Sequence, residues 1–330
     1  MQPFKYTHAI DASSAIDALQ DERQAVFVAG GTSLIDLMKL DVQTPTHLID
    51  INSLPLTEVG IHDKGLRIGA LARNSDVAAN PIIRERYPVL SEALLAGASP
   101  QLRNMATMGG NLLQRTRCLY FRDNAFPCNK REPGTGCSAI DGYNRQHAIL
   151  GISPYCIATH PSDMCVALAA LDATIHTQGP QGERTIPFEQ FYLVPDDHPQ
   201  RETILEHGEL ITAIGLPLLP FARNSTYIKV RDRASYAFAI VSVAAALDIQ
   251  DGTIRHARIA LGGVATKPWR AYDAEYMLNG QAPTLDSYRH AATMAMQGAV
   301  THKDNAFKVE LAQRMIVYAL EQVGARGAMA

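Results

Sequence analysis

The chain has 330 residues, 47% of them hydrophobic and 19% charged, with a formal net charge of -3 at pH 7. Such a balance fits a folded globular chain of two or three domains and gives no general attraction for nucleic acid. There is no run of about 18 apolar residues to insert in a membrane, and Met1-Gln2-Pro3-Phe4-Lys5 lacks the charged-then-apolar layout of a secretory signal.

Residues 1–55 read as strand, helix, strand, helix, strand. An amphipathic segment at Ala15–Leu19 is followed by Ala25–Val28, then by Leu34–Leu40 and His47–Ile51. Between the second strand and the second helix lies Val28-Ala29-Gly30-Gly31-Thr32-Ser33-Leu34. Paired glycines there let backbone N–H groups approach a phosphate, although a tight turn with Thr32 or Ser33 as a plain helix cap is the alternative.

After Ser53-Leu54-Pro55 the pattern shifts to a strand at Leu66–Ala70 and helices over 75–79 and 89–96. A second glycine pair follows in Arg103-Asn104-Met105-Ala106-Thr107-Met108-Gly109-Gly110-Asn111, where amide and hydroxyl groups flank open backbone. That chemistry suits a ribityl or pyrophosphate tail, with an ordinary glycine turn as the simpler alternative.

Four of the five cysteines, Cys118, Cys128, Cys137 and Cys156, then fall within 39 residues, separated by nine, eight and eighteen residues. No pair has the two-to-four-residue spacing usual for structural zinc, so an iron–sulfur cluster is favoured, with zinc and disulfides still open. The same stretch holds six basic residues (Arg115, Arg117, Arg122, Lys130, Arg131, Arg145) against Asp123, Glu132 and Asp141. The excess of cations would stabilise an anionic cluster, and so long a polar loop is expected to need a staple. His147 and His160 flank Cys156 and read mainly as structural or surface histidines, with a hydrogen-bond donor near the cysteine site as the alternative.

A helix over 162–171 contains the fifth cysteine, Cys165, read as a buried core thiol, and a strand over 173–176 follows. Residues 180–207 have the composition of surface loops with one short helix at 188–192. Three strands at 226–230, 239–243 and 257–261 and two helices at 287–299 and 306–323 complete an α+β C-terminal region.

The stretches AGGTSLIDLMK (29–39), IGAL (68–71), LRNMATMGGNL (102–112), HPSDM (160–164), YIKVRDRASYAFA (227–239) and ALGGVA (260–265) together resemble the FAD-binding medium subunit of the molybdenum hydroxylases. The four-cysteine insertion is similar to the branch formed by the FAD and 4Fe-4S subunit of periplasmic aldehyde oxidoreductases, with the benzoyl-CoA reductase class second.

The resemblance implies an α+β fold: FAD-binding lobes at 1–55 and 56–219, an iron–sulfur insertion at about 112–156, and a C-terminal domain at 220–330. It implies that Val26, Phe27, Val28, Ala29, Gly30, Gly31, Thr32, Ser33 and Leu34 hold the FAD pyrophosphate. Thr107, Gly110 and Asn111 would approach the flavin or its ribityl chain, Asp163 the cofactor tail, and Lys229 the FAD site. Cys118, Cys128, Cys137 and Cys156 would ligate a [4Fe-4S] cluster. The implied partners are a large molybdenum-cofactor subunit, a small 2Fe-2S subunit and an external electron acceptor. The implied compartment is the periplasm, reached by co-export with a signal-bearing partner, with the cytoplasm as the alternative. Lacking a catalytic base and a dinucleotide fingerprint, the chain is expected to carry electrons and not to use NAD.

Overall fold

The computed structural model describes residues 1–20, 22–62 and 65–327; positions 21, 63–64 and 328–330, the last three at the end of the expected C-terminal domain, lie outside that description. Three sheets organise the α+β architecture expected from the sequence.

The first is parallel, in the order β1 (Lys5–His8), β3 (His47–Asp50), β2 (Ala25–Val28). Its crossovers are the helices Ala12–Gln20 and Leu34–Lys39. All four residues of β3 are buried, as the central strand of a parallel sheet covered on both faces requires. Ala15, Ile16, Leu19 and Ile49 form one small core, and Val28, Met38 and Leu48 form another.

The second sheet is antiparallel, in the order β4-β5-β8-β6-β7, with β4 at Val59–His62, β5 at Gly65–Gly69, β6 at Thr174–Gly179, β7 at Gly182–Pro187 and β8 at Leu210–Pro217. The chain leaves it after Gly69 and returns at Thr174. Five short helices between Asn74 and Leu112, the cysteine segment and the helix Asp163–Ala170 therefore form one long excursion from the sheet. Every residue of Asp163–Ala170 is buried, because that helix is apolar nearly all round and is packed from several sides.

The third sheet is antiparallel, in the order β12-β11-β10-β9, with β9 at Ser225–Val230, β10 at Val241–Gln250, β11 at Thr253–Gly262 and β12 at Trp269–Arg270. Helices Tyr272–Leu278, Leu285–Ala295 and Phe307–Gly327 complete this region. Tyr227, Ala244 and Ala260 join the core of the second region, so the two pack as one body.

The structure corrects the sequence reading in three places. The segment 180–207 is not all loop: Gly182–Pro187 is an edge strand whose only buried residue is Ile186. Strand β8 and the helix Tyr272–Leu278 carried no expectation. The third correction concerns the cysteine segment, which packs against the first lobe: Phe121 and Cys128 are buried together with Leu37 of the helix Leu34–Lys39.

Candidate functional site

Strand β2 delivers the chain into the first glycine loop, where Gly31 has φ +68 and so occupies the left-handed region that favours glycine. Gly30 is needed for a different reason, since a Cβ there would lie 2.0 Å from the Met105 carbonyl oxygen. The loop is braced from outside: Asn52 Nδ2 donates to the Ala29 carbonyl at 3.0 Å, and Arg73 donates to Asn52 Oδ1 at 3.1 Å and to the Met105 carbonyl. Among the described residues none accepts a hydrogen bond from the N–H of Gly30, Gly31, Thr32 or Ser33. Ser33 also makes no side-chain cap, so both hydroxyls of the motif are uncommitted.

Those donors face two clefts of about 360 and 400 Å³ that share Thr32, Ser33 and Gly110 in their walls. Val26, Phe27, Val28, Ala29, Gly30, Gly31, Thr32, Ser33, Leu34, Thr107 and Gly110 line the first. Asn111, Asp163 and Lys229 line the second. An elongated ligand with a diphosphate at its middle suits two clefts that meet at a run of free N–H groups. The second cleft also presents Asn74 Oδ1 and Arg117 Nε, buried polar atoms without a partner among the described residues.

Individual roles differ from a simple motif reading. Thr107 is 1% exposed and its hydroxyl caps the next helical turn, accepting from Gly110 N–H at 3.2 Å. Asn111 Oδ1 accepts from Ser162 at 2.8 Å and from Gln114, leaving its NH₂ for the cleft. Asp163 is held on both oxygens, by Tyr227 OH at 2.5 Å and by Lys229 Nζ at 2.7 Å. Burial and that carboxylate push the Tyr227 phenol well above its ordinary value, so it remains a donor. Lys229 also donates to the Ala96 carbonyl at 3.1 Å, which fixes its ammonium at the cleft wall.

The cysteine segment lies beside the second cleft. Short helices Leu119–Arg122 and Ser138–Asp141 start immediately after Cys118 and Cys137, and Cys128 pairs with Cys137 through an isolated β-bridge. All five cysteines are free. Burial first, opposed by nearby backbone N–H groups, pushes Cys118 up to about 12, with the Cys128 and Cys156 thiols adding to the rise. Burial pushes Cys156 up to about 11, against the pull of Lys130, with Cys137 and Cys128 adding to it. Cys137 is raised for the same reasons. The four thiols therefore share one electrostatic neighbourhood, yet among the described residues no three His, Cys, Asp or Glu side chains are grouped to hold a single metal ion. Cys165 stands apart, fully buried, with Sγ 3.1 Å from Tyr192 OH.

The basic residues of the segment act mainly as fasteners. Arg117 and Arg122 reach Asp36 at 2.9 and 2.7 Å, Arg115 and Lys130 share Glu202 at 2.7 and 2.8 Å, and Arg145 grips Asp232 with both terminal nitrogens. Arg131 donates to the carbonyls of Tyr120, Phe121 and Phe126. The expected free cationic excess is thus largely neutralised, and Lys130 is the one whose charge reaches a thiol strongly enough to act on Cys156. His147 places Nε2 3.1 Å from Cys118 Sγ, and burial pushes its ring down to about 4. His160 instead packs edge-on against Tyr192, ring centroids 4.6 Å apart.

Three cleft residues escaped the sequence reading. Arg117 was counted only with the cluster cations, but it lines the second cleft and stacks over Phe238 at 4.9 Å. Asn74 lies in none of the quoted motifs and Tyr236 in one that was given no site role, and only folding brings them to the same wall.

Residues 2–219 match the family model described as the FAD binding domain in molybdopterin dehydrogenase, and residues 226–323 match the CO dehydrogenase flavoprotein C-terminal domain. The chain is 50% identical to the aldehyde oxidoreductase FAD-binding subunit PaoB of Escherichia coli K12, over 99% of this chain and all of that one. It is 29% identical to the carbon monoxide dehydrogenase medium chain of Hydrogenophaga pseudoflava, over 92% and 90% of the two chains. A solved carbon monoxide dehydrogenase from the latter organism superposes with a TM-score of 0.78 at 28% identity, covering 98% of each chain.

Proposed function

Because the chain belongs to the FAD-binding subunit family of the molybdopterin dehydrogenases and is an oxidoreductase subunit, we propose that it is the electron-transfer subunit of a three-subunit molybdenum-dependent aldehyde oxidoreductase. In this reading aldehydes become carboxylic acids in a large subunit, and a small 2Fe-2S subunit delivers the electrons to this chain. The observation that carries the FAD part is the run of four uncommitted N–H groups at Gly30–Ser33 where two clefts meet. The aldehyde part rests on the full-length likeness to the aldehyde oxidoreductase subunit.

FAD supplies the redox chemistry when bound, taking up electrons from the partner centres and passing them to an external acceptor. The protein binds and orients. The N–H groups of Gly30, Gly31, Thr32 and Ser33 would hold the pyrophosphate. The Asn111 amide would meet the ribityl chain. The Asp163–Lys229–Tyr227 cluster would fix the Lys229 side chain against the flavin half of the second cleft. Because Asp163 neutralises its ammonium, Lys229 acts as a fixed donor without leaving an unpaired buried charge.

The proposal includes a [4Fe-4S] cluster on Cys118, Cys128, Cys137 and Cys156. Four cysteines that share one electrostatic neighbourhood without surrounding a single ion suit a core that spreads its ligands, better than they suit one tetrahedral zinc. Backbone N–H groups already point at Cys118, Cys137 and Cys156, as thiolate ligands need. We also assign the boundaries 1–55, 56–219 and 220–330 to two FAD lobes and a C-terminal domain. The periplasmic compartment is kept on the family resemblance, with export supplied by a partner.

The co-purified complex should contain one FAD and one cluster per copy of this chain, read by visible spectrum, flavin release and iron and acid-labile sulfide assay. A folded complex that is colourless, or that carries zinc in place of iron, would overturn the cofactor assignment.

A further inference from the structure

We infer that His147 is a positioning residue for the cysteine site: its imidazole Nε2–H donates to the Cys118 sulfur and raises the reduction potential of the cluster bound there. This rests on the cluster reading above and names one side chain within it.

Three observations converge. Nε2 lies 3.1 Å from Cys118 Sγ, and His147 is 5% exposed. Its other ring nitrogen, Nδ1, is buried without a partner among the described residues. A metal-bound cysteine is a thiolate with no proton to give, so a neutral ring in this position must carry its single proton on Nε2 and donate it to sulfur.

The ring is also held from behind. His147 N–H donates to the Asn144 carbonyl at 2.9 Å, and the His147 carbonyl accepts from Lys308 Nζ at 2.9 Å. Lys308 is fully buried on the C-terminal helix and bridges to the Gly263 carbonyl at 2.6 Å. Asn144 is fully buried too, donating to the carbonyls of Ala139, Ile140 and Gly142. Burial pushes the Lys308 amine down to about 7, and its hydrogen bonds to two carbonyls fix the main chain on which the imidazole is mounted.

The remaining donors recorded at Cys118, Cys137 and Cys156 are backbone N–H groups, from Tyr120 and Phe121, from Ala139, Ile140 and Ile157, and from Ala158. His147 is thus the donor that a single substitution removes. An N–H···S bond strengthens as the cluster gains negative charge, so it favours the reduced form.

The test uses the co-expressed complex and an EPR-monitored redox titration of wild type, His147→Leu and His147→Gln, each checked for iron and FAD content. Removing the donor should weaken the preference for the reduced form roughly tenfold, lowering the midpoint by about 59 mV for a one-electron couple. His147→Gln, which restores an N–H, should recover most of that shift. In ¹⁵N-histidine-labelled wild type, pulsed EPR of the reduced cluster should show coupling to a non-ligating imidazole nitrogen, a readout that needs no variant. Equal midpoints in all three proteins, or no imidazole coupling, would overturn the inference while leaving the cluster intact. An iron-free wild type would overturn the cluster reading itself.

Discussion

The walls of the two clefts draw on strand β2, the turns around it, the ends of short helices and strand β9, and the donors where the clefts meet are main-chain N–H groups held open by packing. The cysteine loop between 112 and 156 has only two four-residue helices and is held by ion pairs to three other parts of the chain, through Asp36, Glu202 and Asp232. One site is preformed by backbone geometry. The other brings together four thiols, of which burial raises Cys118, Cys137 and Cys156, so the metal centre proposed for it would have to displace their protons on binding. The contrast predicts that the sites can be damaged separately, and that only a few contacts couple them.

The largest effect should come from Cys128→Ser with Cys156→Ser, which removes two buried thiols proposed as cluster ligands. Iron and acid-labile sulfide should fall to background while FAD stays near one per chain. Loss of FAD in the same preparation would show that the clefts depend on the cluster and would end the contrast.

Next comes Lys229→Met on the cleft side. It strands the carboxylate of Asp163, 8% exposed, with only Tyr227 as partner. Leaving one member of a buried pair uncompensated costs about 3–5 kcal/mol. FAD occupancy and the urea midpoint should both drop, with iron content per folded chain unchanged. A variant with normal FAD affinity would remove Lys229 from the cofactor site.

This prediction also marks how far the sequence was readable. Glycine pairs can be read because a Cβ at Gly30 collides with backbone and Gly31 needs positive φ; both are local demands. Strands β2 and β3 and the helices beside them were readable for a similar reason, since a buried parallel strand reads as an apolar run and an amphipathic helix prints its period in the chain. Strand β7 was not, because Gly182-Glu183-Arg184-Thr185 is exposed and polar and is a strand only by pairing with β6. Arg117 was misplaced by proximity in sequence: it stands next to Cys118, but its side chain turns to Asp36 and the second cleft. The Asp163–Lys229 pair joins residues 66 apart, which no spacing rule anticipates.

A smaller effect is expected at Glu202, which clasps Arg115 and Lys130. Burial raises this carboxyl, but the two cations outweigh it and hold it below its ordinary value. A depressed folded pKa adds stability above the unfolded value, near 4.3, that is lost as pH falls through the folded one. Glu202→Gln should therefore cost about 1.5–3 kcal/mol at pH 7, and the gap from wild type should close on acidification below about pH 4. Denaturant midpoints at pH 7 and 3.5 measure it. A gap that persists undiminished at pH 3.5 would mean the clasp works by packing rather than charge.

The smallest effect carries the sharpest information about coupling. Asp36 lies on the helix that follows the first glycine loop and receives both Arg117 and Arg122 from the cysteine segment, bridging the two sites directly. Its side chain is 42% exposed, so solvent screens the pair and Asp36→Ala should cost at most about 1 kcal/mol of stability. Freed from Asp36, Arg117 keeps its stacking on Phe238 but loses the anchor that sets its height in the cleft. The expected signature is a small fall in the urea midpoint with a disproportionate rise in the FAD dissociation rate and unchanged iron content. If iron and FAD instead fall together, the bridge transmits strain in both directions, and the two sites form a single cooperative unit.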